Sequence, residues 1–195
     1  MKIAFTGTHI TGKTTLLKDF EQLMDYSNIN NPFIGKSFGY ISGIARSILS
    51  RGFPLNKDGN VDSYINYIND QLEAEKIMSE FDIFISDRTL LSPLAYSCVN
   101  KSLPRPFIPD YFISMIENIW LLEKERYNLY IYFPIEFTSQ VKDDIHPYDE
   151  KYRIDIDNMI HELLEKHDVN HIHITGSREE RLRVLVQSIN DSLSY

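Results

Sequence analysis

Gly7-Thr8-His9-Ile10-Thr11-Gly12-Lys13-Thr14 has the spacing G-x-x-x-x-G-K-T. That spacing suits the holding of phosphate groups. The glycines let the backbone wrap closely, and successive N–H groups then point into one concavity. A helix starting at this point adds partial positive charge. Lys13 is placed to reach β- and γ-phosphates, and the Thr14 hydroxyl to ligate Mg²⁺, with Thr15 beside it. A chance match in 195 residues has odds on the order of one in a hundred. The flanks reduce those odds. Lys2 to Thr6 is an apolar strand, and Leu16, Leu17, Phe20 and Leu23 follow helical spacing.

A second stretch, Phe81-Asp82-Ile83-Phe84-Ile85-Ser86-Asp87-Arg88, is an apolar strand ending in a carboxylate and a guanidinium. Ligand groups collect at the carboxyl ends of parallel strands. Asp87 is a candidate to hold Mg²⁺ through water or to take a proton from an acceptor hydroxyl. Arg88 is a candidate to stabilise transferring phosphate. The plainer alternatives are a helix cap for Asp87 and a structural ion pair for Arg88.

Other cations and aromatics carry weaker signals. Arg46 stands on an otherwise apolar helical pattern and is a candidate on the acceptor side. Lys142, His146 and Arg153 bracket a polar connection suited to a lid, and Arg105 lies in another loop. Phe38, Tyr40, Tyr64 and Tyr67 are candidates for a wall that stacks on an acceptor. Most aromatics at helical spacing are simply core. His161, His167, His171 and His173 read as structural, because no cysteine or carboxylate set accompanies them at zinc-site spacing.

The elements that must position these groups alternate. A helix is expected from Thr14 to near Asp25-Tyr26, then a weak strand over Phe33 to Tyr40. Ile41, Ile44, Ala45, Ile48 and Leu49 read as a helix closed by Gly52 and Pro54. Asp62 or Ser63 is expected to cap a helix through Met78. A short helix over Thr89 to Val99 follows the Asp-Arg strand, and three prolines make 100–109 irregular. The rest reads as a helix from Asp110 to about Arg126, a strand over Asn128 to Phe133 and an irregular Ile135 to Pro147. A helix over Tyr148 to His167 and a strand over Asn170 to Ile174 complete the alternation. Ser177 and Glu180 form a capping box for the last helix. This predicts an α/β fold with a parallel sheet covered on both faces, in one domain spanning 1–195.

Composition bounds the function. A net charge of −8 argues against broad binding to nucleic acid. No apolar run spans a bilayer, and no signal peptide is read at the start. Cys98 is the only cysteine, so no intrachain disulfide forms and a cytoplasmic setting is expected.

Asp87-Arg88-Thr89-Leu90-Leu91-Ser92-Pro93-Leu94-Ala95-Tyr96 resembles the D-R-x-x-x-S-x-x-A-Y segment of thymidylate kinases. It is also similar to the corresponding segment of small AAA-type kinase domains related to nicotinamide riboside kinase. Ala45-Arg46, Glu150-Lys151-Tyr152-Arg153 and Thr175-Gly176-Ser177-Arg178-Glu179-Glu180-Arg181 extend that second likeness over nearly the whole chain. The resemblance implies a five-stranded P-loop sheet in the order 2-3-1-4-5, a lid after the fourth strand and phosphoryl transfer from ATP. It implies that Asp87 serves Mg²⁺ and substrate, that Arg88 contacts acceptor and phosphates, and that Thr175, Gly176 and Ser177 lie near the adenine. Homodimerisation is implied only by analogy.

The chain departs from the pattern twice. Ser42-Gly43-Ile44 stands where the related kinases often carry a carboxylate, and Asp144-Ile145-His146-Pro147 lacks the usual lid arginine. The expected function is an ATP- and Mg²⁺-dependent phosphotransferase acting on a nucleoside, nucleoside monophosphate or related small acceptor. The substrate side then falls to Arg46, Tyr40, Arg88 and Arg153. The alternatives are a regulatory NTPase without a small acceptor, or a kinase of a modified base in nucleic acid.

Overall fold

The structure is a computed structural model that describes residues 1–25, 31–136 and 149–193. Lys142, His146 and the Asp144–Pro147 run lie outside the described residues. Among the described residues, strands and helices follow in the order β1 (Lys2–Thr6), α1 (Lys13–Met24), β2 (Phe38–Ile41), α2 (Ile44–Ser50), a 3-10 turn (Asn56–Asp58), α3 (Val61–Met78), β3 (Ile83–Asp87), α4 (Leu91–Lys101), α5 (Asp110–Lys124), β4 (Leu129–Tyr132), α6 (Glu150–Lys166), β5 (His171–His173) and α7 (Arg178–Leu193). All strand pairs are parallel, and the sheet order is β2-β3-β1-β4-β5.

Alternation along the strands divides the core between two faces. Ala4, Phe84 and Tyr130 point to one face and pack with Tyr64, Leu94, Ile116, Trp120 and Ile156 from α3 to α6. Ile3, Phe5, Ile83, Ile85 and Ile131 point to the other and pack with Leu16, Phe20, Leu185 and Ile189 from α1 and α7. The register opposes Phe5 to Asp87 and Thr6 to Tyr132. The phosphate-binding loop and the Asp-Arg pair therefore leave the sheet side by side, at the carboxyl ends of its strands.

Several boundaries differ from the sequence expectation, each for a local reason. Ile41 belongs to β2, opposite Ser86, because Gly43 at φ 80° breaks the helical run before Ile44. Asn60, not Asp62 or Ser63, caps α3: its Oδ1 accepts the Ser63 N–H at 3.0 Å. α4 starts at Leu91 rather than Thr89, because Arg88 takes a left-handed φ of 91° and the Thr89 Oγ1 accepts the Leu91 N–H at 3.3 Å. Phe112, Ile116 and Trp120 are the buried face of α5, while Ile113 and Leu121 are only half-buried. The capping box of α7 forms in both directions, Ser177 N–H to Glu180 Oε2 at 2.7 Å and Glu180 N–H to Ser177 Oγ at 3.3 Å.

A buried polar chain lies beneath the Asp-Arg turn. Gln71 Nε2 donates to Glu75 Oε1 and to Ser86 Oγ, each at 2.8 Å, and Ser86 Oγ donates to the Arg88 carbonyl at 2.5 Å. This chain fixes a backbone conformation that a side-chain-bearing residue rarely adopts. Burial raises the Glu75 pKa above its usual value, and the hydrogen bond from Gln71 opposes that rise. A raised pKa contributes stability below the unfolded value of 4.5, and that contribution is lost as pH rises through the folded value. Glu75→Gln should therefore show a smaller loss of stability than the parent between pH 4 and pH 7. Urea unfolding of both proteins at a series of pH values reads the difference directly. A difference in unfolding free energy that does not vary with pH would contradict this account.

Candidate functional site

The two loop glycines sit where only glycine fits. Gly7 has φ 136°, and a Cβ there would lie 2.5 Å from the Phe133 carbonyl oxygen. Gly12 has φ 92°, and its Cβ would meet the Arg181 guanidinium at 2.6 Å. These glycines let β4 and α7 press against the loop. Ile10 also has a positive φ, 56°. Thr8, His9 and Thr11 are buried, and Thr11 Oγ1 donates to the Thr8 carbonyl at 3.2 Å. His9 Nδ1 lies 3.3 Å from the Tyr96 hydroxyl.

Lys13 is buried, and its ammonium donates to the Thr8 carbonyl and, at 2.9 Å, to Thr11 Oγ1. Burial pushes its pKa well down, and Arg88 adds to that push while Asp87 opposes it. A cation held in this way gains from an incoming phosphate more than a solvated one does. The Thr14 hydroxyl donates to Asp87 Oδ2 at 2.5 Å. The other carboxylate oxygen, Oδ1, is buried and has no hydrogen-bond partner among the described residues. A hydroxyl and a carboxylate with an unsatisfied oxygen form a donor set of the hard-oxygen kind that Mg²⁺ takes.

Two further arginines hold the loop from behind. Arg153, buried on α6, donates from Nε to the His9 carbonyl at 3.1 Å and from Nη2 to the Ile10 carbonyl at 3.0 Å. Its Nη1 lies 3.2 Å from Glu150. Arg181, buried on α7, donates to the Thr11 carbonyl at 2.7 Å and the Gly176 carbonyl at 3.0 Å, and pairs with Glu136.

The loop faces a cavity of about 560 Å³, ample for a nucleotide. His9 to Leu16 form its floor, Asp87, Arg88 and Arg46 one wall, and Gly176, Ser177, Arg178 and Arg181 the other. Thr175 adjoins that second wall in the chain. The Gly176 N–H donates to Glu136 Oε1 at 3.0 Å. Arg178 is paired with Asp19, which also lines the cavity.

A much smaller space, about 40 Å³, opens on the other side of Arg88 between Tyr64, Tyr67 and Tyr96. Ala45 and Leu49 of α2 close it. Burial removes solvation from the Arg88 guanidinium, but Tyr96, Tyr67 and Asp87 more than offset this and raise its pKa.

The structure thus brings together Lys13, Thr14, Asp87, Arg88 and Arg46, with Gly176 and Ser177 opposite. It does not bring Tyr40 to them. Tyr40 lies on β2, stacks with Phe38 and hydrogen-bonds Glu21 of α1, away from the three tyrosines around Arg88. Arg153 meets the carbonyl side of the loop and lines neither cavity. Arg178 and Arg181 are site residues that the spacing did not single out. One signal was available: two arginines in the first turn of a helix oppose its dipole and need another partner.

A family model described as AAA domain matches residues 2–181. No curated protein sequence matches the chain. Among solved structures, the NadR protein in complex with NAD and AMP-PNP superposes with a TM-score of 0.71 at 14% identity, covering 100% of this chain and 49% of that one. The chain therefore spans about half the length of NadR. Deoxyadenosine kinase from M. mycoides gives a TM-score of 0.63 at 14% identity, covering 98% of this chain and 100% of its own. Thymidylate kinase from Candida albicans gives 0.64 at 14% identity, covering 97% and 91%. These likenesses are of fold: the five-stranded P-loop sandwich, in the strand order expected from the sequence.

Proposed function

We propose, from the premise that this chain belongs to the AAA domain family, that it is an ATP- and Mg²⁺-dependent phosphotransferase acting on a nucleoside, nucleoside monophosphate or related small acceptor. The observation that carries the reading is Asp87. It binds the Thr14 hydroxyl, keeps one buried oxygen unpartnered and borders the cavity beside Lys13, Arg88 and Arg46. Thr14 and Asp87 would hold Mg²⁺, which supplies charge neutralisation at the phosphates when bound. The loop N–H groups and Lys13 hold and orient the triphosphate. Arg88 and Arg46 meet the group in transfer, and Asp87 receives the acceptor proton. Gly176 and Ser177 flank the adenine. The solved likenesses support this: NadR was captured with AMP-PNP, and two others are named as deoxyadenosine and thymidylate kinases.

The acceptor enters on the tyrosine side of Arg88. About 40 Å³ holds a water or two, not a nucleoside. α2, which runs between Gly43 at φ 80° and Gly52 at φ 85°, moves outward to admit it. That small volume also favours the regulatory NTPase as the second reading. A cytoplasmic setting fits both. Among the described residues no helix is long and apolar enough to cross a membrane.

The test is transfer of labelled phosphate from ATP·Mg²⁺ to a panel of nucleosides, nucleoside monophosphates and nicotinamide riboside. A labelled acceptor supports the kinase. Slow hydrolysis indifferent to every acceptor moves the reading to the regulatory NTPase. Within the productive reaction, Arg46→Ala should lower kcat/KM by about 100-fold, because an exposed cation facing the phosphates is lost. Tyr40→Phe should leave it within about twofold, since its hydroxyl serves Glu21. An equal loss in both variants would put the acceptor on the β2 edge instead.

A further inference from the structure

Three histidines that are dispersed in the sequence meet at the far edge of the sheet. His161 comes from α6, and His171 and His173 from β5, where their side chains share one face. One ring nitrogen from each lies within 4.8 Å of the others. His171 Nε2 and His173 Nε2 are 3.2 Å apart. Zinc–nitrogen bonds of 2.0–2.1 Å in a tetrahedron place two nitrogens about 3.3–3.4 Å apart. The observed pair lies within about 0.2 Å of that separation.

The hydrogen bonding of the rings points the same way. His171 Nδ1 lies 2.8 Å from the Val169 carbonyl oxygen, a bond that takes an Nδ1–H and leaves Nε2 as the nitrogen on the His173 side. A second nitrogen anchored to a carbonyl is the usual way in which a metal-binding imidazole is oriented. Tyr132 of β4 backs all three rings, at centroid distances of 5.8, 5.9 and 5.1 Å.

We infer that His161, His171 and His173 form a site for a borderline divalent cation of the zinc class, with the remaining position open to water. Three imidazoles, with no oxygen ligand beside them among the described residues, disfavour Mg²⁺ and Ca²⁺. The site clips α6 to the edge strand β5. Tyr132 connects it to the phosphate loop side of α6, since its hydroxyl donates to Asp157 at 2.9 Å, one turn before His161. The spacing argument from sequence missed the site because the ligands span a helix and the strand after it. His167, the fourth histidine of that stretch, is engaged elsewhere, with Glu117 at 2.8 Å and Trp120.

The experiment uses the full chain, free of any affinity tag, stripped with chelator and without nucleotide. Co²⁺ is titrated and followed by visible absorption, then displaced with Zn²⁺. The expected result is one equivalent of Co²⁺ with the bands of a tetrahedral site. Zn²⁺ at about a hundredfold excess over its Kd should also raise the Tm by roughly 5 °C or more. The triple variant His161→Gln, His171→Gln, His173→Gln should lose both effects while keeping its circular dichroism. Should the triple variant fail to fold, His161→Gln, exposed on α6, should weaken Co²⁺ binding by about tenfold or more. Absence of stoichiometric binding would overturn the inference and leave a hydrogen-bonded histidine pair. Bands that survive in the variants would overturn it too.

Discussion

Lys13→Met should abolish measurable phosphate transfer, lowering it by about 10³-fold or more, while leaving the nucleotide-free protein as stable as the parent or more stable. The two halves of this result have one cause. Lys13 is buried, and burial together with Arg88 pushes its pKa well below the usual lysine value. The sign follows from linkage. A depressed pKa contributes stability above the unfolded value of 10.5, and that contribution is lost as pH falls through the folded value. Burying the ammonium is a cost to the empty loop, met in part by the Thr8 carbonyl and Thr11 hydroxyl. Methionine fills similar space without charge. Bound phosphates reverse the balance, because they supply the counter-charge that the empty loop lacks. A factor of 10³ in rate corresponds to about 4 kcal/mol, the scale of one preorganised charge at a transition state. Asp87→Asn should match the loss in kcat for a different reason. The amide keeps an oxygen for the Thr14 hydroxyl but gives up the charge, so ATP still binds and transfer fails. Thermal melts without nucleotide, equilibrium binding of ATP and single-turnover transfer separate these effects. A Lys13→Met protein that unfolds more readily and still transfers phosphate would remove the basis of the proposal.

Much of this arrangement was legible in the sequence because local rules and tertiary structure agree there. The glycine loop, the strand before it and the helix after it are contiguous, and each carries its own signal. Asp87 and Arg88 end an apolar strand, and in a parallel sheet that end is where the loop also emerges. The less legible parts depend on pairings that no spacing encodes. Tyr40 and Tyr64 look alike as aromatics, yet strand alternation puts Tyr40 with Glu21 of α1, and Tyr64 packs behind Arg88. Ile41 fits helical spacing, but one left-handed glycine, Gly43, assigns it to β2. Arg181 touches Thr11, 170 positions earlier. Such contacts follow from strand order, which the resemblance supplied and composition alone could not.

Arg153 gives the second large expected effect, and it also decides between two roles for one residue. From sequence it is a candidate for the substrate side. In the structure its guanidinium spans the His9 and Ile10 carbonyls and Glu150, with 1% of the residue exposed. Arg153 satisfies those two loop carbonyls from α6. Arg153→Ala should therefore cost about 3 kcal/mol, the usual penalty for leaving a charge-assisted network unpaired, less than in a fully dry site because Glu150 retains some water. In a chain of this size that is a fall in Tm of roughly 6–12 °C. Arg153→Lys keeps the charge but not the fork, so it should recover only part of the loss. The kinetic signature is the deciding one. A positioning residue under the loop raises the KM for ATP and leaves the KM for the acceptor unchanged. A substrate-contacting residue does the reverse. If Arg153→Lys folds normally and shifts only the acceptor KM, the arginine reaches past the loop during turnover, and the loop's shape at His9 and Ile10 must be held by its own backbone and the Thr8, Thr11 and Tyr96 contacts alone.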